Sequence, residues 1–339
     1  MAPPANTATA PPPSDNKGGY TDKHKGGYTD KHKGGYKQIN KALNICAFED
    51  YLETQLSRLP AIADVEVLSS RVIRILGQNA GKFTLQGTNT YIIGTGSERI
   101  LIDTSQGIPE WAALISSTLA DSNITLSHVL LTHWHGDHTG GVPDLLRMYP
   151  HLKPSIYKNM PSKSQQPIPN GSVFQAEGAT LRAVHAPGHA EDHTCFILEE
   201  EMAMFTGDNV LGHGTAAVEQ LSVWLDSLRL MQSHNCTVGY PAHGVVIPDL
   251  QRKIDLELKA KTRRETQVLS TLAQIRGPGG KASVTVKQLV GIMHGDGMDR
   301  EVRQMAIEPL MGEVLNKLAE DGKVAFEIRQ KEKKWYSIM

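Results

Sequence analysis

The run Thr132-His133-Trp134-His135-Gly136-Asp137-His138 places three imidazoles and a carboxylate within six positions, directly after the apolar stretch His128-Val129-Leu130-Leu131. Imidazole and carboxylate are the donors that borderline divalent ions such as zinc prefer, and no thiol is needed. His133 and His135 can reach one ion from adjacent loop turns, whereas Asp137 and His138 point to a second. A closed structural zinc takes four ligands and leaves no spare donor, so this density favours a two-ion catalytic site. A histidine-rich surface loop, or core histidines that are neighbours by chance, would call for no further donors elsewhere. Yet the chain offers them in order: Ala186-Pro187-Gly188-His189, Met204-Phe205-Thr206-Gly207-Asp208 and Tyr240-Pro241-Ala242-His243-Gly244. Each donor stands just past a short strand-like run, where a loop can aim it at a shared point.

The ordered set resembles the metallo-β-lactamase fold superfamily, whose pattern His-x-His-x-Asp-His, then His, then a bridging Asp, then His is complete over roughly residues 65 to 250. Carried over by position, the resemblance implies one metal at His133, His135 and His189, and a second at Asp137, His138 and His243, with Asp208 bridging. It also implies that Asp103, ending Ile100-Leu101-Ile102-Asp103, orients a ligand histidine, a role whose loss weakens metal sites. Two divalent ions about 3.5–4 Å apart hold a water, lower its pKa towards neutrality and stabilise an oxyanion. Asp137, facing that water, is the expected proton acceptor or relay. Zinc is the default ion, and donors limited to N and O also admit manganese. A binding scaffold without activity is the opposing reading, and the presence of all seven expected donors counts against it.

These donors need strands to carry them. Val65–Leu68, Val72–Leu76, Thr90–Ile93 and Ile100–Asp103 read as strands in quick alternation, with helices near Pro109–Leu119 and Pro143–Tyr149. That order fits an α/β fold, and the resemblance implies an αββα sandwich. A helix is expected from Ile39 to about Leu59, closed by Pro60. Before it, residues 1–36 form a leader, Pro/Ala/Thr-rich at first and then carrying the tandem unit Lys17-Gly18-Gly19-Tyr20-Thr21-Asp22-Lys23-His24 and Lys25 to His32. Its composition cannot repay the entropy of ordering, so a disordered duplication is expected rather than a metal-binding repeat. The catalytic domain is assigned to 37–250.

Beyond it, residues 251–339 hold 17 Lys+Arg against 12 Asp+Glu, leaving about −6 for the remainder of a chain whose net charge is −1. An amphipathic helix from Gln251 to Ile275 and the breaker Gly277-Pro278-Gly279-Gly280 make a connecting segment, 251–280. Thr285-x-x-Gln288 reads as a capping box opening a helix to about His294, and Glu301–Glu320 as a further helix stopped by Gly322. Val324–Ile328 and Trp335–Ile338 then flank a basic tip, Gln330–Lys334. Helix, helix and hairpin suggest a winged-helix-like module over 281–339. The tip reads as a solvated turn rather than a nucleic-acid contact, and no aromatic platform for single strands is visible.

With 339 residues, no run of eighteen apolar residues and no secretory signal, the sequence reads as a cytoplasmic enzyme with no membrane association. Cys46, Cys195 and Cys236 have no CxxC spacing and read as small apolar residues. Two subfamilies share the C-terminal appendage and Gln86-Gly87-Thr88-Asn89-Thr90-Tyr91: lactamase-like endoribonucleases, and fungal thioesterases that release products from non-reducing polyketide synthases. Gly34-Gly35-Tyr36-Lys37-Gln38-Ile39-Asn40, Asn44 through Glu53, and Gly207-Asp208-Asn209-Val210-Leu211-Gly212-His213-Gly214 resemble the thioesterases. The duplicated repeat and Val218-Glu219-Gln220, where Phe-Glu-Asp would be expected, depart from that group. The resemblance implies hydrolysis of the thioester between an aromatic polyketide, such as atrochrysone carboxylic acid, and an acyl carrier domain. A single-strand-specific endoribonuclease is the alternative, although nucleic acid is not the expected partner. The basic C-terminal region would attract an acidic carrier domain and RNA phosphates alike. His185 and His193, which bracket His189, read as structural or supporting, and His213 is a candidate for the wall of the substrate pocket.

Overall fold

The computed structural model describes residues 58–81, 83–276, 282–295, 297, 300 and 303–339. The repeat-bearing leader, all but the end of the expected helix over 39–59, and the Gly/Pro breaker at 277–280 lie outside these residues.

Two sheets stack face to face. The first runs in the order β1 (Val65–Val67), β2 (Val72–Leu76), β3 (Asn89–Ile93), β4 (Glu98–Ile102), β5 (Thr125–Leu131), β6 (Ile156–Lys158) and β7 (Gln166–Pro167). It is antiparallel as far as β4 and parallel from there on. The second is ordered β12 (Val238–Pro241), β11 (Ala203–Gly207), β10 (Thr194–Leu198), β9 (Ala179–His185), β8 (Val173–Ala176), with β11 and β12 parallel. The strand periodicity of two explains the layers. On β3, Tyr91 and Ile93 enter the core between the sheets with Phe196, Phe205 and Tyr240, while Ile92 points the other way. There it meets Trp111, Ile115 and Leu119 of α1 (Pro109–Asp121), in a core that also holds Leu145 of α3 (Val142–Met148), with the single turn α2 (Gly136–Thr139) between them in sequence. The outer face of the second sheet, through Val184, Cys195, Ile197 and Met204, packs under α4 (Leu221–Ser233) and α5 (Leu250–Arg276). Helices on both outer faces of two sheets give the αββα order, and buried strands with apolar residues on both faces are what such layering requires.

Parallel pairing decides where the loops emerge. Ile102 of β4 pairs with Leu130 of β5, so Asp103 and the Thr132–His138 run leave the sheet side by side. Phe205 of β11 pairs with Tyr240 of β12, which brings Asp208 and His243 out together on the second sheet. Hydrogen bonds lace the sheets at this end. Asn89 donates its backbone N–H to the Ala242 carbonyl (2.7 Å) and its amide to those of Pro241 and Gly244 (2.8 Å each), and Tyr91 Oη donates to Pro241 (2.6 Å). Thr194 N–H donates to the Thr132 carbonyl (2.8 Å).

The C-terminal segment carries α6 (Val286–His294), α7 (Glu308–Glu320) and the hairpin β13 (Val324–Arg329)–β14 (Glu332–Ser337). The capping box is formed: Thr285 Oγ1 accepts from Gln288 N (3.1 Å), and Gln288 Oε1 from Thr285 N (2.9 Å). Of the helix expected over Glu301–Glu320, residues 301 and 302 lie outside the described residues, and the rest is helical in two parts. A π-turn occupies Arg303–Ile307 and the α-helix starts at Glu308, because Pro309 has no N–H to continue the preceding ladder. At the other end Gly322 (φ +69°) closes the helix as expected, and Lys323 N–H reaches the Leu318 carbonyl at 2.9 Å. The basic tip differs. Gln330 and Lys331, with φ +54° and +65°, make a two-residue turn, and Lys333 and Lys334 belong to β14. The Lys333 ammonium lies over the rings of Phe326 and Trp335, 4.2 and 4.1 Å from their centroids. Among the described residues no helix is long and apolar enough to cross a membrane.

Candidate metal centre

The seven expected donors come together in two groups where the laced ends of the sheets meet. His133, His135, His189 and Asp208 form one, Asp137, His138 and His243 the other, each with its ligand atoms within 4.8 Å of one another. In the first, His133 Nε2, His135 Nδ1 and His189 Nε2 lie 2.9, 3.1 and 3.2 Å apart. Asp208 divides its carboxylate between the groups. Oδ2 is 3.4 Å from His189 Nε2 and 4.0 Å from His133 Nε2, whereas Oδ1 is 3.2 Å from His243 Nε2 and 3.5 Å from His138 Nε2. Asp137 Oδ2 completes the second group, 3.3 Å from His243 Nε2 and 3.4 Å from His138 Nε2.

Divalent ions fit this donor set. Three ring nitrogens facing one point cannot all be satisfied by one another, since a neutral imidazole has a single N–H. Tetrahedral bonds of about 2.0–2.1 Å to zinc would space nitrogens roughly 3.3 Å apart, close to what is found. His138 Nε2 and Asp208 Oδ1 are buried and have no hydrogen-bond partner, an arrangement that costs free energy unless a cation shares them. The opposite ring nitrogens are anchored, leaving the inward ones for metal. His189 Nδ1 donates to the Ala217 carbonyl (2.7 Å) and His138 Nδ1 to Asp103 Oδ2 (2.8 Å). His133 Nδ1 donates to Thr132 Oγ1 (3.0 Å), which passes its own proton to the same Asp103 oxygen (2.8 Å). Asp103 Oδ1 also takes the Thr132 N–H (2.8 Å), so one buried carboxylate steadies a histidine of each group.

Electrostatics sort the rings. Burial, with the neighbouring rings adding to it, holds His133 and His189 below the usual histidine range and lowers His135 to about 3. Burial acts the same way on His243, but the Asp208 and Asp137 carboxylates override it and raise that ring to about 9. His138 is likewise raised, by Asp137, Asp208 and Asp103 against its burial. Burial would raise the carboxyls of Asp137 and Asp208, yet the facing imidazoles hold both below their ordinary value. The centre is anionic carboxylate set against imidazole, as a dication requires.

Further residues support the donors from behind. His193 accepts the Asp208 N–H at Nε2 (3.0 Å) and so places the shared carboxylate, which makes it a supporting residue. His185, by contrast, turns to the Glu191 carbonyl (2.9 Å), and His213 is exposed on the loop whose Gly212 N–H binds the His243 carbonyl (2.9 Å). Asn209 donates to the Ala186 carbonyl (2.6 Å), tying the loops of Asp208 and His189. Lys158 and Asp192 form a buried ion pair behind the motif loop. Thr132 could have been suspected from its place beside the motif, but Lys158 and Asp192 stand 34 positions apart with nothing in sequence to join them. Cys195 and Cys236 are buried, unpaired and pushed up by burial, Cys236 to about 11.

The profile described as the metallo-beta-lactamase superfamily matches residues 83–243. An atrochrysone carboxyl ACP thioesterase of Cryptosporiopsis sp. is 68% identical over 309 residues, covering 89% of this chain and 96% of its own. A lactamase-like protein of Pestalotiopsis fici is 69% identical over 304 residues, covering 89% and 97%. An atrochrysone carboxyl ACP thioesterase of Aspergillus terreus is 66% identical over 308 residues, covering 89% and 96%. Among solved structures, a beta-lactamase domain protein from Burkholderia ambifaria matches with a TM-score of 0.67 at 16% identity, over 82% of this chain and 95% of that one. A metallo-beta-lactamase family protein from Thermus thermophilus matches at 0.58 and 20% identity, over 80% and 100%.

Proposed function

Because this chain belongs to the metallo-β-lactamase superfamily, we propose that it is a metal-dependent thioesterase that releases an aromatic polyketide from the acyl carrier domain of a non-reducing polyketide synthase. The observation that carries the reading is the divided Asp208 carboxylate between two donor groups, in a chain 63–69% identical over most of its length to relatives most of which are named atrochrysone carboxyl ACP thioesterases. His133, His135 and His189 would hold one divalent ion and Asp137, His138 and His243 the other, with zinc the resident metal by donor chemistry and manganese admitted. Such ions supply a more acidic bound water and polarise a carbonyl oxygen.

The chain's own groups do the rest. Asp137, the more open of the two inner carboxylates, with 23% of its side chain exposed against 11% for Asp208, takes up the proton of the attacking water. Asp103, through Thr132 and His138, and His193, through the Asp208 N–H, keep the donors in register. The reaction consumes one water, breaks the acyl carbon–sulfur bond, and yields the polyketide acid and the carrier's free thiol. A thiolate leaves with little acid assistance, so no further proton donor is needed. The protein acts beside its synthase in the cytoplasm, where buried free thiols persist.

The test follows a carrier-bound aromatic polyketide by intact mass with metal-loaded enzyme and with His135→Ala, single-stranded RNA being incubated in parallel. Loss of the acyl mass only with the intact centre, and uncut RNA, is expected. Cut RNA beside an untouched carrier would replace this reading with an endoribonuclease.

A further inference from the structure

Of the seven donors only His135 and Asp137 are partly open to solvent, and the other five are buried. A substrate must therefore approach over these two. Trp134 stands on that side, 42% exposed, its indole edge-to-face with His135 at 4.5 Å between centroids. The other three tryptophans, Trp111, Trp224 and Trp335, are at most 2% exposed.

Met160, 51% exposed, is tied to Trp134 through a buried ion pair. Lys158 Nζ donates to the carbonyls of Asn159 and Met160 (2.8 Å each) and pairs with Asp192, which accepts the Trp134 backbone N–H. All three ammonium protons are used, and both charged residues are buried. Met160 has φ +50°, a left-handed conformation uncommon for a non-glycine residue, and its carbonyl is held by Lys158 Nζ. A buried ion pair is weak evidence for stability, because desolvation offsets its attraction. Here it joins the backbone of Met160 to that of Trp134, whose ring lies against the ligand His135.

We propose that Trp134 and Met160 are the apolar lip that selects the acyl group, with the flat aromatic part of the thioester's acyl chain stacking on the indole. Lys158 and Asp192 are positioning residues for that lip. An indole face offers an offset-stacking platform, and a thioether makes favourable contact with ring edges. The nature of the acyl group rests on the thioesterase reading; the place where a flat aromatic acid binds does not.

The experiment uses full-length, metal-loaded protein labelled with 5-fluorotryptophan, whose four fluorine resonances are assigned with Trp134→Phe. Titration with 3-hydroxy-2-naphthoate should move the Trp134 resonance and leave the three buried ones in place. With a 2-naphthoyl pantetheine thioester, Trp134→Ala and Met160→Ala should each raise KM about tenfold or less while kcat holds, the sign of lost ground-state binding. Lys158→Met should raise KM and broaden the Trp134 resonance, and Lys158→Arg should restore both. A Trp134 resonance indifferent to the naphthoate, or an unchanged KM in Trp134→Ala, overturns the lip. If no thioester is hydrolysed at all, the thioesterase reading fails, and the fluorine titration still decides the lip.

Discussion

Asp103 shows how much of a metal centre lies behind its ligands. One carboxylate receives Thr132 N, Thr132 Oγ1 and His138 Nδ1, and through the hydroxyl it also reaches His133. Replacing Asp103 by Asn leaves every donor in place but removes the charge that orients two rings. Metal affinity should fall roughly 10- to 100-fold, read by competition with a chromogenic chelator. The His243 ring predicts a pH effect. Burial opposes its charge, Asp208 and Asp137 override that, and its pKa stands at about 9. A metal needs the neutral ring here and at His138, which is raised too, so loading near pH 7 should expel protons from both rings, measured by calorimetry in buffers of different ionisation enthalpy. In metal-free protein the sign is that of a raised histidine: its contribution is fully present below the unfolded value of about 6.5. It is lost as pH rises through about 9, so the Tm of chelated protein should fall across that interval.

At the scale of elements, the loop after Asp208 joins α5 to the centre. Thr215 Oγ1 donates to Glu257 Oε2 (2.7 Å) and accepts from Lys261 Nζ (3.2 Å), while Lys253 Nζ holds the Gly214 carbonyl (2.8 Å). Two residues on, the Ala217 carbonyl anchors His189. Thr215→Val should cost about tenfold in metal retention against chelator, and Thr215→Ser should keep it. Gly188, which precedes His189, is a tighter case. Its φ is +121°, a side chain there would meet the backbone N and Cα of Trp224, and its carbonyl accepts Glu219 N and Gln220 N. Gly188→Ala should destabilise the fold by at least about 1–2 kcal/mol in urea titration. Legibility at this scale followed range. The Thr285–Gln288 capping box spans four residues and could be read directly. The hairpin turn could not, because polar residues mark a turn without saying that two suffice, and Lys333 continues the strand against aromatic rings.

At the scale of the molecule, one continuous core joins the outer face of the second sheet to the C-terminal helices and hairpin. Val184, Ile197 and Met204 share it with Trp224, Ile254, Leu272, Leu289, Leu315, Val324 and Trp335. Removing residues 250–339 would expose that face as a large apolar patch. The shortened chain should aggregate, and the full-length protein should unfold by calorimetry in a single transition. The donor motifs, their order and the strand-like runs before them were legible because each is local, its chemistry set by residue type and its strand by a periodicity of two. The resemblance carried by those motifs supplied the assignment of donors to two ions. What only the tertiary structure decided was the division of the two Asp208 oxygens, the double service of Asp103 and the Lys158–Asp192 pair behind Trp134. These depend on how β4 meets β5, how β11 meets β12 and how the two sheets are laced. Contacts between residues distant in sequence follow from packing and register, and no local pattern of side chains encodes them.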